Sequence, residues 1–291
     1  MATLILTPAE LEARRRARAL KTKQVFGNAY LWLLLVVLYA PILLIIIFSF
    51  TKSKVFGNWT GFTLQLYQNL FTGYDSNAQV RVDPNLYRAI FFTFLIAFVA
   101  ATIATILGTL AAIGIYNMRS RSRKAVTFLN SVPMINPDIL TGISLFLLFV
   151  FLGISRGFAT VVIAHVVFCT PYVVLSVMPR LTKMNPNIYE AALDLGATPF
   201  QALFKVIMPE LWPGMISGFI LALTLSIDDF GVTFFTKGSG GLETLSTFIY
   251  ADARKGGLTP ELRPLFSLIF LTILVLLIVM NVRAAKQEKK K

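Results

Sequence analysis

The sequence predicts an all-α polytopic membrane protein with six transmembrane helices, and three observations carry that prediction. Of 291 residues, 56% are apolar and 14% are charged, at a mean hydropathy of +0.72, whereas a soluble domain is about one-quarter charged. Six apolar runs recur along the chain, and ~20 such residues cross ~30 Å of hydrocarbon with the backbone bonded internally. The 27 Lys and Arg lie between the runs. A nucleic-acid binder would instead gather its base on one folded face among stacking aromatics, so nucleic acid is not an expected partner of the net +13 charge. The lone Cys169 falls inside a run, which leaves no intrachain disulfide.

Residues 1–28 form the lead-in. Thr7 as cap, Pro8 at the first helical position and Glu10 at the third predict a short helix start. Its basic side would rest on anionic headgroups at ~1 kcal/mol per Lys or Arg; the alternative is a frayed basic tail. The first span is Ala29 to Phe50, uncharged and 22 residues long, longer than a signal-peptide core, so no cleavable leader is expected. Ala89 to Tyr116 is the second, and its Ala100, Ala104, Gly108 and Ala112 make a small-residue face that lets another helix approach closely. The third, Ile139 to Ile154, is short; apolar residues from Ala125 onward prolong it, interrupted by Pro133, Pro137 and Asp138. Phe158 to Met178 is the fourth, with His165 and Pro171 inside. Gly214 to Phe235 is the fifth and holds the doublet Asp228 and Asp229. Pro264 to Val282 is the sixth, closing a transmembrane domain of residues 29–282 before a basic tail over 283–291.

Orientation follows from Lys and Arg in the connecting segments. The lead-in, the segment after span two, the segment after span four and the tail together hold 18 of the 27 basic residues, and the opposite side holds 8. Both termini are therefore expected to be cytoplasmic.

The segment 180–213 between spans four and five is the most informative. Asn185 can cap a helix opened by Pro186, and Gly196 supplies its end. Thr198 and Pro199 restart a second helix, which Pro209 and Pro213 are expected to close. The helix pair exposes Ile188, Leu193, Leu195 and Phe200 in a segment too polar to span, so a partner or the rest of the chain must cover them.

Glu190-Ala191-Ala192, then Gly196, then Val206-Ile207-Met208-Pro209 resembles the EAA loop of ABC importer permeases. Val206 and Met208 depart from that pattern conservatively, and the spacing agrees throughout. The resemblance implies that Glu190, Ala191, Ala192, Gly196 and Pro209 belong to a coupling element docked on a cytoplasmic ATPase. The physical roles fit: the alanines permit close approach, Glu190 offers a carboxylate to a basic residue, and Gly196 turns the chain. Trp59-Thr60-Gly61-Phe62-Thr63-Leu64 with Tyr67, Ser226-Ile227-Asp228-Asp229-Phe230, and Gly256-Gly257-Leu258-Thr259-Pro260-Glu261 are similar to the PotC-type permeases of spermidine/putrescine importers. That likeness covers nearly the whole chain. It implies the MetI-like permease fold, a second homologous permease subunit, cytoplasmic ATPase subunits and an extracytoplasmic polyamine-binding protein.

Charges inside hydrocarbon cost ~2.5–3.5 kcal/mol each on insertion scales and tend to line polar cavities. Asp228 and Asp229 are accordingly the candidate cation path, against the alternative that both cap a helix end or pair with a cation. His165 and Cys169 share a helix face, but two ligands make no metal site, and core packing is their expected role. Asp138 can cap span three or face the path. Tyr172, Trp212 and Tyr250 are candidates for cation–π contacts with an amine, and Glu243 and Asp252 for a docking protein. No nucleotide-binding Gly-x-x-x-x-Gly-Lys-Ser/Thr loop exists, since Gly238-Ser239-Gly240-Gly241 lacks the lysine. The chain is not expected to be an enzyme or to carry a cofactor.

The competing expectations are a permease for another small solute and a self-contained secondary transporter. The latter would show broken ion-site helices in both halves, and the acidic doublet has no counterpart in spans one to three. An intramembrane enzyme would need a catalytic constellation beyond His165 and Cys169.

Overall fold

The computed structural model describes residues 8–53, 55, 57–75, 80–256 and 258–288. The expected cap Thr7, Gly257 and the lysines at 289–291 lie outside the described residues. The chain divides into two compact units, Met1–Val82 with Leu258–Lys291, and Asp83–Gly257.

In the first unit a single helix α1 (Pro8–Phe48) opens at Pro8 and runs without a break into the apolar stretch Phe26–Phe48. The chain then folds back on itself. Phe50 stacks on Phe62 at 5.3 Å and meets Tyr67 of α2 (Gln65–Thr72) at 5.2 Å. Ser49 Oγ and Tyr67 Oη are 2.8 Å apart, and Thr51 bonds Thr60 at 3.0 Å. The Trp59 to Leu64 motif is therefore a packed turn held by aromatic contact and hydroxyl bonds. Gly73 ends α2 with φ 70 and leads into the first of two short antiparallel strands, with Tyr74 opposite Arg81 and Asp75 opposite Val80. The last helix, α12 (Leu262–Glu288), packs on α1 and α2. The buried Arg263 at its head donates from Nη1 to the Ser53 carbonyl at 2.8 Å, fastening it to the turn after α1.

The second unit is built on three mutually packed helices, α3 (Pro84–Tyr116), α6 (Phe158–Lys183) and α9 (Met208–Asp228). With no hydrophobic drive between helices in lipid, close van der Waals fit must hold them. The small-residue face of α3 supplies that fit, and Ala100, Ala104 and Ala112 are 0% exposed. Val173 of α6 is clasped from both sides. A Cβ added at Gly108 of α3 would come within 2.7 Å of its Cβ, and one at Gly218 of α9 within 3.1 Å of its Cγ1.

Among the described residues, the helices long and apolar enough to cross a membrane are Phe26–Phe48, Pro84–Tyr116, Phe158–Lys183 and Pro199–Asp228. The third expected span is a bent pair, α4 (Ser120–Ile135) and α5 (Asp138–Phe151), turned by 104°. Pro137 drives the bend, because it forces Asn136 out of the helical region, to φ −77, ψ 134. At the sixth position the described apolar stretch is Leu262–Val275.

Two expectations about the fifth span need correction. Pro209 and Pro213 do not close a helix: α8 (Pro199–Ala202), a π-turn at Leu203–Ile207 and α9 form one continuous 30-residue rod, Pro199–Asp228. At Pro209 the π-turn is the reason, since its wider loop, closed by Met208 N–H to the Leu203 carbonyl, relieves the clash the proline ring makes with the preceding turn, whereas Pro213 lies within α9. The rod also stops at Asp228 and not at Phe235. Asp229 is extended (φ −65, ψ 131), and a separate helix α10 (Gly231–Thr236) follows.

Candidate functional site

The helix pair expected from the sequence is present as α7 (Ile188–Asp194) and α8. Asn185 Oδ1 accepts from Asn187 N–H at 3.0 Å, so the helix begins at Ile188, two residues beyond Pro186. Gly196, at φ +86, closes α7 in a Schellman arrangement: its N–H bonds the Leu193 carbonyl at 2.8 Å and Ala197 N–H bonds the Ala192 carbonyl at 3.1 Å. Thr198 and Gln201 form a reciprocal capping box at the start of α8. Glu190 and Ala191 face outward, Ala192 is half-buried, and Pro209 lies in the first turn of α9. Leu195 is 89% and Phe200 71% exposed, whereas Ile188 packs onto the core and Leu193 is half-buried. A cavity of about 500 Å³ opens beside the pair, lined by Tyr116, Leu181, Tyr189, Glu190 and Phe200 among others.

At the far end of the rod the acidic doublet forms an elbow, and its two carboxylates differ. Asp228 ends α9 and is exposed. Asp229 is 5% exposed and turned inward. Its Oδ1 accepts from Val232 N–H at 3.1 Å and its Oδ2 from Thr233 N–H and Oγ1–H, each at 2.8 Å. The carboxylate thus closes the open amides of α10, where negative charge is favoured by the helix dipole. Ser246 Oγ, in α11 (Leu245–Arg254), donates to the Asp229 carbonyl at 2.6 Å.

The elbow rests on the head of α5. A Cβ at Gly142 would lie 2.7 Å from the Gly231 carbonyl oxygen, and one at Gly231 would lie 3.0 Å from Ile139 N. Only glycine permits that approach. It brings the break before Asp138 against the break after Asp228, and Asp138 interacts electrostatically with both Asp228 and Asp229. Asp138 occupies the first turn of α5 and is itself exposed.

His165 and Cys169 are both 0% exposed. Cys169 Sγ reaches the Ala222 carbonyl at 3.5 Å, and among the described residues no group of three or more metal-type ligands gathers. Tyr172 is half-buried against Phe168, at 5.7 Å, and near enough to Asp138 to interact with it. Trp212 is exposed, and Tyr250 sits among Phe230 and Phe234 with Arg254 5.9 Å from its ring. Glu243 pairs with Lys237 at 3.4 Å, and it lines a 240 Å³ cavity together with Asp83, Arg88, Asp252 and Lys255. Sequence reasoning missed Ser226, Thr233 and Ser246 as partners of the elbow. The Asp-x-Gly spacing ahead of an apolar turn was the available signal that Asp229 ends one helix and opens another.

The family described as "binding-protein-dependent transport system inner membrane component" matches residues 104–290. The spermidine/putrescine transport system permease protein PotC of Haemophilus influenzae is 36% identical over 261 residues, covering 90% of this chain and 97% of its own. The putrescine transport system permease protein PotI of Escherichia coli K12 is 38% identical over 239 residues, covering 80% and 81%. Among solved structures, a bacterial ABC transporter involved in the import of the acidic polysaccharide alginate has a TM-score of 0.64 at 16% identity, over 91% of this chain and 96% of that one. The inward-facing MetNI methionine ABC transporter has a TM-score of 0.52 at 23% identity, over 67% and 92%. These two share the fold. With a family match that takes in the helix pair, the rod and the elbow, the chain belongs to the binding-protein-dependent transport system inner membrane components, as a multi-pass permease subunit.

Proposed function

We propose that this permease imports polyamines of the spermidine/putrescine class across the cytoplasmic membrane, driven by ATP hydrolysed on a partner. Both termini and the α7–α8 pair face the cytoplasm, as the distribution of Lys and Arg between segments supports. The observation that carries the reading is the meeting of two interrupted helices that each present a carboxylate, Asp138 and Asp228, beside a half-buried Tyr172. Two acids near an aromatic ring suit an ammonium-bearing chain, by Coulomb attraction and cation–π contact. The names of the 36–38% identical relatives support the same solute class.

The mechanism follows from the rod. A cytoplasmic ATPase contacts α7 through Glu190, Ala191 and Ala192, and Gly196 transmits its motion to α8. Because α8 continues into α9, a displacement there travels the 30 residues to Asp228, roughly 45 Å at ~1.5 Å per residue. Nucleotide state then biases which side the elbow faces. A second homologous permease completes the path, and an extracytoplasmic binding protein delivers the amine.

The test is purification of the intact membrane complex followed by uptake in proteoliposomes. Co-purification of an ATPase and polyamine-dependent uptake are expected. A complex without an ATPase, or one that ignores both spermidine and putrescine, refutes the proposal.

A further inference from the structure

The buried imidazole of His165 has no part in the roles described so far, yet it touches every piece of the elbow. Its Nδ1 lies 2.6 Å from Ser226 Oγ in the last turn of α9. Its Nε2 lies 2.9 Å from Thr233 Oγ1 in α10 and 3.4 Å from Asp229 Oδ2 in the link between them. One ring on α6 therefore bonds the chain on both sides of the helix break.

The direction of the bonds follows from the hydroxyls. Thr233 Oγ1 gives its proton to Asp229 Oδ2, so its contact with the ring requires a proton on Nε2. With the ring neutral, Ser226 Oγ–H donates to Nδ1. In that tautomer the ring and the two hydroxyls are satisfied, as buried polar groups require. Ser226 and Thr233 are themselves 4% and 0% exposed, so water does not compete for these bonds. The same elbow holds Gly231 against the head of α5, one residue of which is Asp138.

We infer that His165 is the positioning residue of the elbow: by bonding both of its limbs it sets the separation of the Asp138 and Asp228 carboxylates, and with it the preference between a triamine and a diamine. The inference rests on the polyamine reading above. A diamine offers two ammonium groups at one spacing and a triamine adds a third at another, so the separation of the two helix ends that carry the carboxylates discriminates between them. Such sites must be held to about 0.5 Å by the shell around them.

The experiment uses the complete complex with its ATPase and binding protein, measuring uptake of spermidine and putrescine by wild type, His165→Gln and His165→Asn. Glutamine keeps a polar group near Thr233 and gives up Ser226; asparagine does the reverse. Each is expected to change the ratio of the two apparent KM values by about tenfold, the lower end of the range over which a pocket separates close homologues. Cys169→Ser, one turn along the same buried helix face, is the packing control and leaves the ratio unchanged. If neither histidine variant assembles, Ser226→Ala removes the Nδ1 bond alone and must shift the ratio. KM values that move together, a Cys169→Ser shift of equal size, or an unshifted Ser226→Ala ratio overturns the inference and leaves the polyamine reading standing. A wild-type complex that transports neither amine overturns both.

Discussion

Asp228→Asn and Asp229→Asn, adjacent and chemically identical changes, are expected to fail in different ways. Asp229 accepts two backbone N–H bonds and one hydroxyl bond while 5% exposed. Asparagine keeps one acceptor oxygen and turns an amide NH₂ toward donors. Losing a helix-capping acceptor costs ~0.5–2 kcal/mol, and leaving a buried donor unpaired adds ~1–3 kcal/mol. A total of about 1.5–5 kcal/mol is expected for Asp229→Asn, which at ~2 °C per kcal/mol for a domain of this size lowers the Tm by about 3–10 °C. Asp228 is exposed at the end of α9, so its asparagine variant keeps the wild-type Tm and instead weakens attraction for a cation. That interaction is ~1 kcal/mol at 4 Å in water and ~4 kcal/mol at an effective dielectric near 20. A rise of roughly tenfold in apparent KM for spermidine corresponds to ~1.4 kcal/mol, within that range. The assay pairs thermal unfolding of the detergent-solubilised complex with initial uptake rates. An unchanged Tm for Asp229→Asn, or unchanged uptake with a lowered Tm for Asp228→Asn, would refute the division of labour between the two carboxylates.

Gly196→Pro is expected to abolish solute-stimulated ATPase activity while membrane insertion continues, because proline requires φ near −65° where the chain holds +86 and removes the N–H that bonds Leu193; retained stimulation would contradict the coupling role. Thr198→Ala removes the side-chain half of the capping box, worth ~1 kcal/mol, and should reduce coupling partially, as read by the ratio of solute-stimulated to basal ATPase rate. Gly108→Val drives new atoms against Val173, where a Cβ alone would sit at 2.7 Å; the expected overpacking cost of ~1–3 kcal/mol should appear as a lowered Tm and a poor yield of assembled complex.

Much of the fold was legible because it rests on local rules. Ala100, Ala104, Gly108 and Ala112 announced a close helix contact four residues at a time, and they line the buried face of α3. Gly196 and the Thr198-Pro199 pair marked a helix end and a helix start, since both signals depend on a residue's own backbone and its immediate neighbours. The rod was misread for the opposite reason. Pro209 obeys its rule by removing a hydrogen bond, but the chain absorbs the defect in a π-turn, and packing of α9 on α3 and α6 keeps the helix running. A rule about one residue cannot report what three packed helices will tolerate.

The elbow was half legible for a related reason. Two acids in an apolar run signal a polar function by their solvation cost alone, and that cost is the same for Asp228 as for Asp229. What separates them is the identity of their partners. Val232 and Thr233, three and four residues along, donate to the Asp229 carboxylate, a short-range relation that the Asp-x-Gly spacing encodes. His165, however, stands 68 residues before Thr233 and 61 before Ser226, and no local pattern links them. From the sequence, His165 reads as a packed core residue, since two ligands on one face make no metal site, and core packing alone names no partner. Its contact with both sides of a helix break exists only after α6 and α9 have met through Val173 and Gly218. The small-residue packing visible in the sequence is therefore the precondition for the polar site that is not. Perturbing that packing at Gly108 or Gly218 should disturb the elbow as well, even though neither glycine touches a charge.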